Sequence, residues 1–139
     1  MPIEVRLDPE RRWVVAEGHG VVSLEDMLRY QQDVWSRPDV AGWDELVDMS
    51  DVREAVAPTA ARMQELAARA VSMDHASEGS RLAIVAPQHE FFGLARMYEA
   101  YRGLAGHSTK QVAVFRDRGE AAVWLAGGAG HDTGTSGAE

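Results

Sequence analysis

The sequence predicts an α/β fold, a mixed five-stranded sheet with four helices in the order β-β-α-β-α-β-α-β-α. An alternating segment, a turn signal and a second segment of strand length begin the chain, which is typical of a β-hairpin. Three later apolar segments have strand length, and each follows a segment with helical periodicity. A strand reached through a right-handed helical crossover lies parallel to its predecessor. The hairpin therefore adds one antiparallel strand near an edge of an otherwise parallel sheet.

The N-terminal hairpin is predicted from its alternation of apolar and polar residues. Residues 3–7 alternate in this way, the sequence DPE at 8–10 is a turn signal, and residues 12–17 form a second predicted strand that pairs with the first. Gly18 and Gly20 are expected to end the second strand, because glycine weakens strands.

The first helix and the third strand follow from capping and length. Residues 24–35 have apolar side chains at helical spacing, and Ser23 followed by Asp26 resembles a capping box. Residues 45–49 form a short predicted strand. The chain after it, over residues 48–59, is expected to be a loop at the C-terminal edge of the sheet, where open α/β sheets bind ligands.

The second half of the chain alternates helices and strands. Pro58 and Thr59 are expected to open the second helix, with Pro58 at its first position and Thr59 inside its first turn. The apolar run at 81–86 predicts a central, fully buried parallel strand. Residues 89–102 predict a third helix, and residues 111–115 predict the last strand.

The C-terminal segment consists of a last helix and a tail. Asp117 is expected to cap this helix, and Ala121 is expected to face inward. Gly-rich sequence begins at Gly127. The domain is therefore predicted to span residues 1–126, and residues 127–139 are expected to form a flexible tail.

Composition narrows the classes of function. The formal net charge is −8 and no basic patch offsets it, which argues against nucleic acid and anionic membrane surfaces as partners. No cysteine is present and the five histidines show no metal-binding spacing, so no cofactor and no metal are expected. The N-terminus does not resemble a signal peptide and no apolar run has transmembrane length, so a cytoplasmic protein is expected.

Four segments together resemble a known family. They are LVDMSDV at 46–52, RLAIVA at 81–86, FFGLARMYEAY at 91–101 and VAVFRDRGEAAVWL at 112–125. The chain resembles the SpoIIAA-like branch of the STAS superfamily. That branch is similar to bacterial anti-sigma-factor antagonists and shares a broad fold relationship with SEC14-type lipid carriers. The resemblance implies a STAS-like domain that works as a non-enzymatic regulatory interaction module.

The resemblance also implies a protein-binding surface at 48–59. Related antagonists have a phosphorylatable serine at the start of the following helix, and Thr59 is the nearest hydroxyl to that position here. Asp48, Ser50, Asp51 and Thr59 are therefore the candidate residues for binding an anti-sigma-type regulator or a kinase. Shaping of a local turn by Ser50 and Asp51 is the alternative explanation of these polar side chains.

Acidic residues are concentrated around the third predicted strand. Five carboxylates lie within eleven residues: Asp44, Glu45, Asp48, Asp51 and Glu54. Their spacing matches no calcium loop, and strand alternation scatters them over two faces. They are expected to form a solvated acidic rim.

The predicted third helix is unusually aromatic. Phe91 and Tyr98 belong to one apolar stripe, whereas Phe92, Met97 and Tyr101 lie largely off it. Ordinary core packing, a homodimer surface and a cover over an apolar pocket each explain so wide an apolar arc. The second hypothesis is therefore a carrier of a small apolar ligand or lipid under this helix.

Catalysis is the third and least favoured hypothesis. An enzyme would use Asp48, Ser50 and His89, which the predicted topology brings toward one edge of the sheet. No nucleophile and base stand at a recognisable spacing in the sequence. The protein is therefore predicted not to be an enzyme.

Overall fold

The computed structural model describes residues 2–55, 59–73, 79–105 and 110–127. Within these ranges the chain forms five strands and four helices, in the predicted order. The strands are β1 (Ile3–Asp8), β2 (Trp13–Val22), β3 (Asp44–Ala55), β4 (Arg81–Val85) and β5 (Gln111–Phe115). The helices are α1 (Leu24–Trp35), α2 (Ala60–Met73), α3 (His89–Leu104) and α4 (Arg118–Gly127), and a short 3-10 turn spans Pro38–Val40.

The strands form one sheet in the order β1-β2-β3-β4-β5. β1 pairs with β2 in the antiparallel orientation, and β2-β3, β3-β4 and β4-β5 are parallel pairs. The predicted mixed sheet is therefore confirmed, with its antiparallel strand at one edge. β3 is the middle strand, and its first half has hydrogen-bonded neighbours on both sides.

Helices cover both faces of the sheet. α1 and α3 pack on one face, over a core that includes Val47 and Ile84, and α2 lies beside α3. α4 packs on the other face through Ala121 and Leu125. All of residues 81–86 are buried between these layers, as the sequence predicts, but β4 is not the central strand, because β5 continues the sheet beyond it and β3 lies in the middle. No helix in the described ranges is both long enough and apolar enough to cross a bilayer.

The sequence predicts that β2 ends at its glycines, and this prediction is wrong, because β2 continues to Val22. A Cβ at Gly18 would lie 2.8 Å from a methyl carbon of Val52 on β3, so the close approach of the two strands requires glycine. Gly20 has a φ of +67°, a left-handed conformation that glycine adopts without strain. The register of β2 against β3 shifts beside both glycines. They therefore mark irregularities within the strand rather than its end.

β3 is also longer than predicted and extends to Ala55. Its second half stays paired with the longer β2, whereas β4 pairs only with its first half. The side-chain amide of Gln88 donates to the carbonyl oxygens of Ser50 and Val52, at 3.0 and 3.1 Å, and so replaces the missing strand neighbour. Residues 48–55 are therefore strand, and the prediction of a loop there is wrong.

Side-chain caps fix the starts of α1 and α2. Ser23 and Asp26 form the predicted capping box, in which Ser23 Oγ accepts from the Asp26 N–H and the Asp26 carboxylate accepts from the Ser23 N–H. Thr59 Oγ1 accepts from the backbone N–H of Arg62 at 3.2 Å. Thr59 is thus the N-cap of α2, and the expectation that it lies inside the first turn is wrong.

The start of α4 is shaped by Asp117, as predicted. Its Oδ1 accepts from the backbone N–H of Gly119 at 2.8 Å. Gly127 is the last residue of α4. The predicted role of Pro58, and the predicted tail from residue 128 onward, lie outside the described residues.

Leu46→Ala should test the packing of the central strand. Leu46 is 1% exposed in the core beneath α4, so loss of its side chain should lower the free energy of unfolding by about 2–5 kcal/mol. Leu104→Ala is the matched control, because Leu104 is 81% exposed and its loss should change stability little. Urea unfolding measures both variants, and equal stabilities would contradict this position of β3.

Candidate functional site

A cavity of about 140 Å³ lies between the sheet and helices α1, α2 and α3. Most of its lining is apolar, and its members include Met27, Met63, Leu66, Leu82, Ile84 and Tyr98. In another protein, an apolar cavity of about 150 Å³ is large enough to bind benzene. The cavity can therefore hold a small apolar molecule without rearrangement of the fold.

Methionine and leucine are the most frequent residues in the cavity wall, with four of each. Four methionines line it: Met27, Met49, Met63 and Met73. Met49 lies on this face of β3, as strand alternation predicts. Thioether side chains are unbranched and adapt to irregular shapes. The wall can therefore adjust to ligands that differ in shape.

The two ends of the cavity differ in chemistry. Polar and charged side chains line the end near the start of β3: Tyr30, Gln31, Glu45, Arg102 and Lys110. Apolar side chains line the end near the start of α1, where the cavity reaches Val22, Leu24 and Phe91. A ligand with one polar group would thus have a preferred orientation.

Glu45 lies at the centre of the polar end, and its carboxylate accepts three hydrogen bonds. Its Oε2 accepts from the Tyr30 hydroxyl at 2.5 Å and from the Trp35 indole N–H at 3.2 Å. Its Oε1 accepts from the Lys110 ammonium at 3.0 Å. The ammonium also lies 4.2 Å from the centre of the Trp35 ring. These contacts join α1, β3 and the segment before β5.

The negative charge at the polar end, that of Glu45, is paired with the positive charge of Lys110. The side chains of Glu45 and Lys110 are only 7% and 4% exposed, and a buried charge is tolerated when it is paired and hydrogen-bonded. Burial raises the pKa of the Tyr30 hydroxyl well above its ordinary value, and the negative charge of Glu45 raises it further. The hydroxyl therefore remains a donor to Glu45.

A second ion pair lies on the opposite face of the sheet. Arg118, the first residue of α4, donates from Nη1 to Asp48 Oδ2 and to Glu17 Oε2, each at 2.8 Å. Asp48 Oδ1 accepts from the Ser50 hydroxyl at 2.5 Å and from its N–H at 2.9 Å. Burial raises the pKa of Asp48, but the bonds from Ser50 and Arg118 outweigh burial and hold the pKa below its ordinary value. Asp48 thus helps to anchor α4 on the sheet.

The four predicted partner-binding residues have different surroundings. Asp48 is buried in the ion pair with Arg118, whereas Ser50, Asp51 and Thr59 are exposed. Ser50 donates to Asp48, and Thr59 caps α2. Three of the four positions are thus accessible to a partner.

One group among the described residues could hold a cation. One ligand atom each from Glu4, Glu17 and His19 lie within 4.8 Å of one another. Glu17 already accepts from the guanidinium groups of Arg6 and Arg118. These two positive charges compete with a cation, and the expectation that no metal is bound stays a prediction.

The aromatic residues of α3 divide between the cavity and the surface. Phe91 and Tyr98 line the cavity, and Phe92 packs against the larger core. Met97 is exposed and Tyr101 is partly exposed. The stripe that the sequence identifies as the apolar face of α3 is therefore the face above the cavity.

The residues of the enzymatic interpretation lie on two sides of the sheet. Asp48 and Ser50 contact each other on the side of α4, whereas His89 is the exposed first residue of α3, which covers the other face. A carboxylate with a lowered pKa is also a weak general base near neutral pH. The arrangement gives no support to this interpretation.

The expectation of a solvated acidic rim is wrong for Glu45 and Asp48, which are both buried. Their cationic partners, Lys110 and Arg118, are 65 and 70 residues away in sequence, so no local pattern shows the pairing. The sequence did contain a signal that Glu45 points into the core: Glu45 lies two residues before the apolar Val47, and residues two apart in a strand share a face.

Comparison with solved structures identifies a SpoIIAA-like fold. The chain is similar to the crystal structure of an uncharacterised protein of the DUF3478 family, with a SpoIIAA-like fold, from Shewanella loihica PV-4. The TM-score is 0.54 at 16% sequence identity, and the match covers 88% of this chain and 91% of that chain. No family model and no curated protein matches the sequence. The predicted SpoIIAA-like fold is thus confirmed.

Lys110→Met should be strongly destabilising, because it leaves the Glu45 carboxylate buried without its cation. Loss of one partner of a buried ion pair costs about 3–5 kcal/mol of unfolding free energy. Arg37→Met is the control, since Arg37 forms an exposed pair with Asp39 and its loss should change stability little. If urea unfolding shows an equally small effect for both variants, the pairing of Glu45 is not as described.

Asp48→Asn should be most destabilising near neutral pH. The pKa of Asp48 is lowered from its ordinary value of 3.8, so its ionised form stabilises the fold above that pH. This contribution is lost as the pH falls through the lower pKa of the folded state. In urea unfolding from pH 7 to pH 3, the stability difference between wild type and variant should therefore shrink below about pH 4. A difference that grows on acidification would contradict the assigned direction.

Proposed function

We propose that this protein binds a small, largely apolar molecule in the cavity under α3, and that it acts by binding rather than by catalysis. The observation that most supports the proposal is an apolar cavity of about 140 Å³ with a few buried polar groups at one end. Small-molecule sites commonly combine an apolar lining with a few convergent polar groups.

The size of the cavity defines the expected ligand. About 140 Å³ accommodates one small ring or a short chain, and a two-chain lipid needs far more space. The four methionines in the wall allow modest changes of shape. The ligand is thus expected to be a small amphiphilic or aromatic molecule, oriented with its polar group toward Glu45.

Ala70→Leu should abolish this binding. Ala70 of α2 is buried and lines the cavity, so a larger side chain there fills the space that a ligand would occupy. Toluene should raise the Tm of wild type, because a ligand that binds only the folded state stabilises it. The increase should be lost in Ala70→Leu.

Ala68→Leu is the matched control for this experiment. Ala68 lies two residues away on the exposed side of the same helix, so this variant should keep the full increase in Tm. If toluene leaves the Tm of wild type unchanged, or raises that of Ala70→Leu equally, the cavity is not the binding site.

A second candidate function is protein binding by the exposed residues Ser50, Asp51 and Thr59. We propose that they form a contact surface for a regulatory partner, as the likeness to anti-sigma-factor antagonists suggests. Their exposure supports this proposal, because a partner can reach them without unfolding the sheet. A homodimer through the exposed side of α3 and a cytoplasmic location also stay predictions.

Asp51→Lys should weaken partner binding more than Thr59→Glu does. Asp51→Lys reverses a charge on the proposed contact surface. Thr59→Glu removes the hydroxyl that caps α2, but it places a negative charge at the N-terminus of this helix, which the helix dipole favours. Co-purification from the native cell, quantified for each variant against wild type, measures the effect. Release of a partner by Thr59→Glu alone would instead indicate regulation by phosphorylation.

A further inference from the structure

Gln31 lines the cavity, and its side-chain oxygen has no partner in the described part of the chain. Gln31 lies on α1, is 7% exposed, and lines the polar end. Its Oε1 is buried and has no hydrogen-bond partner among the described residues. Buried carbonyl oxygens are nearly always hydrogen-bonded, because leaving one unpaired is costly. The side chain is thus suited to a partner that the folded chain itself does not supply.

The neighbouring acceptor in the cavity is already occupied. Glu45 accepts from Tyr30, Trp35 and Lys110, so its negative charge is matched and its oxygens are bonded. Gln31 differs, because its side chain lines the same cavity and its Oε1 has no hydrogen-bond partner among the described residues. The two groups therefore have separate roles: Glu45 holds the polar end together, and Gln31 is available to a ligand.

We infer that Gln31 is the recognition residue of the cavity and that the ligand is a small apolar molecule carrying a hydroxyl group. A carbonyl oxygen accepts hydrogen bonds and cannot donate them, so it selects a donor. Neither an ether nor an ionised carboxylate offers a donor. This inference rests on the proposed binding function and specifies the chemistry of its ligand.

Toluene, phenol and anisole separate the need for an apolar ring from the need for a hydrogen-bond donor. They share one ring and differ in a methyl, a hydroxyl and a methoxy group. Dissociation constants from NMR titration should show that phenol gains affinity relative to toluene, because its hydroxyl donates a hydrogen bond to Gln31. In Gln31→Met, which keeps the side-chain length without the acceptor, the ratio of the toluene to the phenol dissociation constant should fall about tenfold. Anisole should show no such change, since it lacks a donor.

Gln32→Met is the control variant, because Gln32 is the next residue on α1 and is exposed. Its ratio should equal that of wild type. Unchanged selectivity in Gln31→Met, while toluene still binds wild type, overturns the role of Gln31 and leaves the binding function standing. Preferential binding of benzoate over phenol overturns the hydroxyl assignment. Failure of both toluene and phenol to bind wild type overturns the binding function as well.

Discussion

The buried carboxylate of Glu45 is the constraint on which the cavity depends. A charge in the interior is stable only when it is paired and hydrogen-bonded, and Glu45 meets this condition through Tyr30, Trp35 and Lys110. These donors come from α1 and from the segment before β5, so the pairing fixes both against β3. The charge thus keeps one end of the cavity polar.

β3 gives the two faces of the sheet different chemistry. Its alternation directs Glu45 toward the cavity and Asp48 toward α4, where Arg118 joins Asp48 to Glu17 on β2. One strand therefore lines the cavity on one side and holds an ion-paired helix on the other. This division explains why the acidic cluster around β3 is structural at its buried positions and accessible only at residues such as Asp51.

Local signals in the sequence predicted most of the fold. The capping box at Ser23, the apolar run of β4 and the helical periodicities each depend on neighbouring residues, and the structure confirms them. Such local signals could not predict interactions between segments that are distant in the sequence. The extension of β2 depends on the fit of Gly18 against Val52, and the burial of Glu45 depends on a lysine 65 residues away. The sequence indicated an apolar pocket under α3 as one alternative. It did not indicate the polar end, because the residues that form this end come together only in the folded chain.

The central claim is that a small apolar molecule occupies the cavity under α3, and intermolecular NOEs to bound toluene test it most directly. The ring protons of toluene should show NOEs to side-chain protons of Met63 and Ile84, which line the cavity from opposite sides. NOEs only to exposed apolar side chains, such as those of Leu104 and Val123, would contradict the claim and indicate binding at the surface instead.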